Sequence, residues 1–238
     1  GVGGPEVSFR AEEILNQEDS IDCVISGEGE ISTLELLQNL SLQNDYKKID
    51  FNIDGIYFRN KNFTSRNPIQ NLDELFFAYP QLKNSEDDKT ENQICQEEIL
   101  DVNNRIFYYE SSRGCPFRCS YCLSSIDKSV RNRSLEKVFE DLKIFLDAKV
   151  KLVKFVDRTY NLNPERYIAI WKYIVEHHNK KTMFHFEIEA EFLSEEALEF
   201  LQTVPANVMQ FEIGVQSANK KTLQSICRST GIEKIAQN

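Results

Sequence analysis

The sequence predicts an α/β protein built on a parallel sheet, and three observations carry that expectation. From Arg105 onward, short apolar runs alternate with amphipathic stretches of helical spacing, the pattern of repeated strand–helix crossovers. The last two of those apolar runs alternate large apolar with polar residues, so each presents two chemically different faces. Residues 1–40 show strand and helix signals punctuated by glycine turns, the end of a doubly wound unit.

Gly1-Val2-Gly3-Gly4-Pro5 opens the chain as a glycine turn, followed by a short helix at 11–16, a strand at 21–25 and a turn at 26–30. Ile31, Leu34, Leu37 and Leu40 then fall at helical spacing. Residues 41–104 read as a connector. It holds a polar stretch at 41–50, a hairpin over 54–63 turning at Asn60-Lys61-Asn62, and a short helix over 71–79. A charged, exposed loop at 84–98 follows, carrying Cys95 as an incidental thiol.

Residues 105–238 hold four strand–helix units. Strands are expected at 106–110, 152–156, 183–190 and 208–215. Ser134 caps a helix with Leu135, Val138, Phe139, Leu142 and Leu146 along one side. Asn163-Pro164 opens the next, with Tyr167, Ile170, Trp171 and Ile174 inward. Ser194, with Glu195 and Glu196, starts the third, and 220–229 forms the fourth. In the third strand Phe184, Phe186 and Ile188 share one face and His185, Glu187 and Glu189 the other. In the fourth, Met209, Phe211, Ile213 and Val215 oppose Gln210, Glu212, Gly214 and Gln216. Helices cover the apolar faces, so the polar rows are expected to line a cavity, as inside a partial barrel.

Composition narrows the classes. The 238 residues are 41% hydrophobic, and no apolar run approaches the ~20 residues of a membrane span. The net charge of −10, from 38 acids and 28 bases, disfavours a phosphate backbone, so nucleic acid is not an expected partner. Six cysteines in a chain this long do not read as a disulfide framework, which places the protein in a reducing compartment, the cytoplasm. A start at Gly1, without methionine or signal peptide, reads as a fragment.

Half of the cysteines lie in Arg113-Gly114-Cys115-Pro116-Phe117-Arg118-Cys119-Ser120-Tyr121-Cys122, spaced C-x3-C-x2-C. Three thiolates on one loop suit a soft metal centre. An iron–sulfur cube ordinarily takes four cysteines, so three leave one iron with an open coordination position. The alternatives are a zinc knuckle or free thiols. Zinc wants a fourth ligand at short range, whereas Cys95 and Cys227 are distant and no histidine precedes His177.

This loop resembles the cluster loop of the radical S-adenosylmethionine (SAM) superfamily, with Tyr121 in the aromatic position before the last cysteine. The resemblance implies a 4Fe–4S cluster on Cys115, Cys119 and Cys122, SAM on the open iron, and the backbone at Tyr121 against the adenine. The segments 155–161, 185–189 and 211–217 resemble the second, third and fourth strands of members that follow a cobalamin domain. Carried over, Asp157, Glu189 and Gln216 stand near SAM, at its methionyl amine, its ribose and the reacting end, with Glu187 the alternative to Glu189. Arg228 matches an arginine found after the fourth strand in relatives, or serves the surface.

Residues 1–40 resemble the last third of a cobalamin-binding domain, which places Gly3 and Gly4 against the cofactor's nucleotide tail. The alternative is a glycine turn of any doubly wound sheet. The fold implied is a partial (β/α) barrel of the radical SAM type preceded by the C-terminal part of that domain. Four units stand where the family has six. The implied activity is reductive cleavage of SAM to a 5′-deoxyadenosyl radical that abstracts hydrogen from a small-molecule substrate. A flavodoxin or ferredoxin supplies the electron, and cobalamin would permit methyl transfer. A ring-forming radical enzyme is the runner-up. An iron–sulfur or cobalamin sensor without turnover, and a zinc-stabilised binding module, are the readings from other classes.

Overall fold

The computed structural model describes residues 1–42, 52–79, 82, 102, 105–228 and 231–237. The expectations for 84–98 and Cys95, and for most of 41–50, lie outside the described residues. The chain divides into two compact units, Gly1–Gln70 and Asn71–Asn238.

In the first unit, β1 (Val2–Gly3) runs parallel to β2 (Cys23–Ile25), joined through α1 (Pro5–Ser8) and α2 (Ala11–Gln17). Helix α3 (Glu30–Leu42) follows. Strand β3 (Ile56–Phe58) pairs antiparallel with β2, Ile25 opposite Ile56 and Cys23 opposite Phe58. This replaces the expected connector hairpin. Ile56 and Phe58 pack with Cys23 and Ile53 in one apolar cluster, so burial draws the strand onto this sheet. The α3 spacing also works differently from the expectation. Ile31, Leu34 and Leu37 are exposed, and Ser32 is the residue fully buried, its hydroxyl donating to Asp54 O at 2.8 Å.

The second unit is a parallel four-stranded sheet in the order β4-β7-β8-β9: β4 (Ile106–Tyr109), β7 (Leu152–Phe155), β8 (Met183–Ile188) and β9 (Met209–Ile213). Between β4 and β7 lie a two-stranded ribbon, β5 (Ser112–Arg113) with β6 (Arg131–Asn132), and α4 (Leu135–Asp147). Helices α5 (Pro164–Glu176), α6 (Glu195–Leu201) and α7 (Lys220–Ser225) follow β7, β8 and β9. Helix α8 (Ile232–Gln237) was not foreseen. No helix among the described residues is long and apolar enough to cross a membrane.

The caps explain where these helices begin. Ser134, Asn163 and Ser194 each accept a bond from the backbone N–H three residues on, at 3.2, 3.3 and 3.2 Å. Asn219 does the same for α7, accepting from Lys221 N and Thr222 N. That helix ends at Ser225, earlier than expected, because Cys227 turns the backbone left-handed at φ 53°. The helices cover one face of the sheet. Phe107, Phe145, Phe155, Trp171, Phe184 and Phe186 are fully buried there, each contributing about 1.5–3 kcal/mol by leaving water. Strand β9 departs from the expected sorting. Met209 and Phe211 pack on the core, but Ile213 and Val215 are exposed at 45% and 38%. Among the described residues β9 is an edge strand of this sheet, paired with β8 alone.

Candidate functional site

The carboxyl ends of all four parallel strands carry the residues singled out by the sequence, which is where α/β sheets bind ligands. The cysteine loop leaves β4, and the β5–β6 ribbon closes its base. Asp157, just past β7, is 1% exposed and accepts three bonds: from Ser111 N at 3.1 Å, Ser111 Oγ at 2.7 Å and Ser112 Oγ at 2.5 Å. Burial raises its carboxyl above the ordinary range, and the serine donors oppose that. Arg166 donates to Ser111 O at 3.1 Å. Both Asp157 oxygens meet the serines preceding the loop, because a buried carboxylate at a strand end needs donors and these are adjacent.

Gly114 has φ 90°, and a Cβ there would overlap the backbone of Ser129, its carbonyl carbon at 2.8 Å. Only glycine lets the two sides of the loop come so close. Cys115 is buried. Its N–H donates to Asp127 O at 2.8 Å, and Arg131 pairs with the Asp127 carboxylate at 2.5 Å. The Thr159 hydroxyl donates to Cys115 Sγ at 3.1 Å.

Farther along the loop, Cys119 is buried beside the Tyr121 hydroxyl, and Cys122 is half-buried, its N–H on Cys119 O at 3.1 Å. The backbone is tied to the end of α7 by Ser120 N to Ile226 O at 2.9 Å. Arg228 Nη1 donates to Tyr121 Oη at 3.2 Å. Its Nη2 reaches both Glu189 oxygens, at 2.7 and 2.5 Å, and Gly214 O at 2.6 Å. A Cβ on Gly214 would stand 2.7 Å from Gln216 Nε2 and 3.9 Å from Arg228 Nη2, so the Gln216 amide borders the same knot. Gln216 itself is left-handed, at φ 62°. Burial raises the Glu189 carboxyl, and Arg228 opposes it. Phe117 stacks on Phe192 with ring centres 5.7 Å apart.

Tyr121, Glu189 and Gln216 thus converge around Arg228, while Asp157 lies apart at the loop's root. Glu187 goes elsewhere: Lys154 Nζ meets it at 2.9 Å and Glu212 at 3.4 Å, and His185 Nε2 lies 3.5 Å from Glu212. The polar row is exposed at Glu187, Gln210 and Glu212, and His185 Nδ1 is buried without a partner. Lys154 is its countercharge. Sequence reasoning passed over it because only the third and fourth strands were sorted by face. Ser111, Ser112 and Thr159 were also missed; the signal was polar residues flanking a strand-end aspartate and a cysteine.

The three thiols do not close on one point as placed. Among the described residues no group of three His, Cys, Asp or Glu side chains could hold a metal ion. The donor chemistry nevertheless fits a cluster: three cysteines on one closed loop, none in a disulfide. In the first unit, Gly3 lies in β1 opposite Ile25, and Gly4 ends the strand at φ 104° with open space where a Cβ would be.

Comparison with known proteins gives a consistent picture. A Pyrococcus horikoshii protein described as an uncharacterized methyltransferase is 31% identical over 180 residues, 71% of this chain and 35% of that one. The hopanoid C-3 methylase of Methylococcus capsulatus is 29% identical over 64% of this chain and 27% of its own. The chain therefore spans about a third or less of these relatives. TsrM from Kitasatospora setae, a radical SAM methyltransferase solved with tryptophan and a SAM analogue, superposes with a TM-score of 0.68 at 15% identity. That match covers 99% of this chain and 46% of TsrM. A second TsrM structure, holding cobalamin and a [4Fe–4S] cluster, matches at 0.64 and 15% identity over 98% of this chain and 47% of TsrM. At that identity the likeness shows the fold alone. The Radical SAM superfamily model matches residues 109–238, from the end of β4 through the cysteine loop and every later strand. The chain belongs to the radical SAM superfamily, whose cofactors are a 4Fe–4S cluster and SAM.

Proposed function

We propose that this chain is the cluster- and SAM-binding part of a radical SAM methyltransferase acting on a small molecule. The observation that carries the reading is the three-thiol loop standing at the carboxyl ends of a parallel sheet, rooted on Asp157 and tied through Arg228 to Glu189. Cys115, Cys119 and Cys122 would hold the cluster, and the Cys115 backbone is anchored on the Asp127 carbonyl. When bound, the cluster and SAM supply an electron-driven homolysis that yields a 5′-deoxyadenosyl radical.

The chain's own residues position and enclose. Asp157 holds the first turn of the loop. Tyr121, Glu189 and Gln216 face SAM, and Arg228 holds Glu189 until SAM competes for it. The Lys154–Glu187–Glu212–His185 row faces the substrate side of the sheet. The strand–glycine exit of the first unit, with Gly3 and Gly4, is the place for cobalamin. Two relatives named for methyl transfer support that outcome, while the anaerobic magnesium-protoporphyrin IX monomethyl ester cyclase of Synechocystis, 25% identical over 94% of this chain, keeps ring formation as the second reading. The protein acts in the cytoplasm with a flavodoxin or ferredoxin as electron donor.

The test uses the full-length protein, prepared anaerobically and loaded with iron and sulfide. Reduced in the presence of SAM, it is expected to be brown and to release 5′-deoxyadenosine, with S-adenosylhomocysteine appearing where methyl is transferred. A colourless protein carrying one zinc, or neither product from cluster-loaded enzyme, sinks the proposal.

A further inference from the structure

We infer that Thr159 sets the reduction potential of the cluster, through the hydroxyl it donates to Cys115. The inference rests on the cluster assignment above and goes beyond it. Thr159 is 5% exposed, two residues past Asp157, and its Oγ1 lies 3.1 Å from Cys115 Sγ. A buried hydroxyl keeps a hydrogen-bond partner, because leaving it without one costs about 1–3 kcal/mol. The partner here is the sulfur. Cys119, by contrast, takes its hydroxyl neighbour, Tyr121, from within the same loop. So one of the three thiols receives a donor from outside its own loop, from the turn that follows β7.

The physical consequence has a sign. A thiolate ligand carries more negative charge after the cluster takes up an electron than before. A hydrogen bond to that sulfur therefore favours the reduced form and raises the potential. The step is a one-electron uptake from the titrant, with no bond made or broken in the protein. The Cys115 backbone is held by the tight turn at Gly114 and by the Asp127 carbonyl. Thr159 is a positioning residue by this account, since it acts through the sulfur rather than on SAM.

The experiment is a redox titration of the anaerobically loaded full-length protein with dithionite, read by electron paramagnetic resonance, without SAM. Thr159→Val keeps the shape and removes the donor, Thr159→Ala removes both, and Thr159→Ser keeps the donor. The expected result is a midpoint more negative than wild type in the Val and Ala proteins, and a wild-type midpoint in the Ser protein. An unchanged or more positive midpoint in a Val protein with wild-type iron and sulfide content overturns the inference and leaves the cluster assignment standing. Loss of the cluster in both Val and Ala proteins assigns Thr159 to assembly instead and likewise overturns it. A wild-type protein that binds no iron and sulfide at all sinks the assignment and this inference together.

Discussion

The root and the tip of the cysteine loop are held by different physics. At the root, Ser111, Ser112 and Cys115 are buried, and three donors converge on a buried carboxylate while Gly114 wedges against Ser129. At the tip, Tyr121, Leu123 and Ile126 are 52%, 53% and 61% exposed, and the described ties beyond the loop are the Ser120–Ile226 backbone bond, the Phe117–Phe192 stack and the Arg228 guanidinium. Buried bonds leave unsatisfied groups behind when broken, whereas exposed ones are replaced by water. Cys115 and Cys119 are equally buried, at 8%, so the contrast lies in what they meet: the Asp127 carbonyl and the Thr159 hydroxyl at Cys115, a tyrosine of the same loop at Cys119.

Three substitutions grade that contrast. Gly114→Ala is the harshest. It forces a left-handed alanine and drives its Cβ into the Ser129 carbonyl, so the loop base must open. We expect a loss of more than about 2 kcal/mol in urea unfolding and failure to retain iron. Wild-type stability in this variant would show that the root is not tight.

Asp157→Ala comes next. It strands two hydroxyls and one N–H, at a cost of about 3 kcal/mol. The cost carries a pH signature. Burial raises the native carboxyl, so the stability it lends is complete below the ordinary Asp value of about 4 and fades as pH rises through the raised value. The gap between wild type and variant should narrow as pH rises above the ordinary Asp value of about 4 in parallel unfolding titrations. A gap that widens contradicts the raised value.

Arg228→Ala is the mildest for folding, at about 1–2 kcal/mol, because it leaves the half-buried Glu189 carboxylate without its countercharge at a site water can still reach. It frees the tip while leaving Cys115 untouched, so thermal unfolding should fall by less than in Asp157→Ala while SAM affinity changes. A collapse comparable to that of Asp157→Ala would erase the distinction between root and tip.

Much of this arrangement was legible from sequence. The alternation of apolar runs gave four parallel strands in the observed order, and Ser134, Asn163 and Ser194 announced their helices by chemistry that is local. The cysteine spacing is local too. What escaped is non-local or depends on position in the sheet. Ile56–Phe58 looked self-contained until the partner strand was known. Ile213 and Val215 carry the same alternation as a central strand, and only edge placement exposes them. The two serines that meet Asp157 stand 46 and 45 positions upstream, and nothing in its own segment signals them. The meeting of Arg228 with Glu189, 39 positions apart, has no sequence pattern at all.

Gln216 and Cys227 stand on either side of α7, and both take backbone angles that ordinary side chains avoid. Each reverses the chain's handedness for a single residue, so the short helix between them is offset and then turned back. The guanidinium of Arg228, one residue past the second reversal, then meets Tyr121, Glu189 and the Gly214 carbonyl, so two single-residue torsions and a handful of hydrogen bonds aim it together.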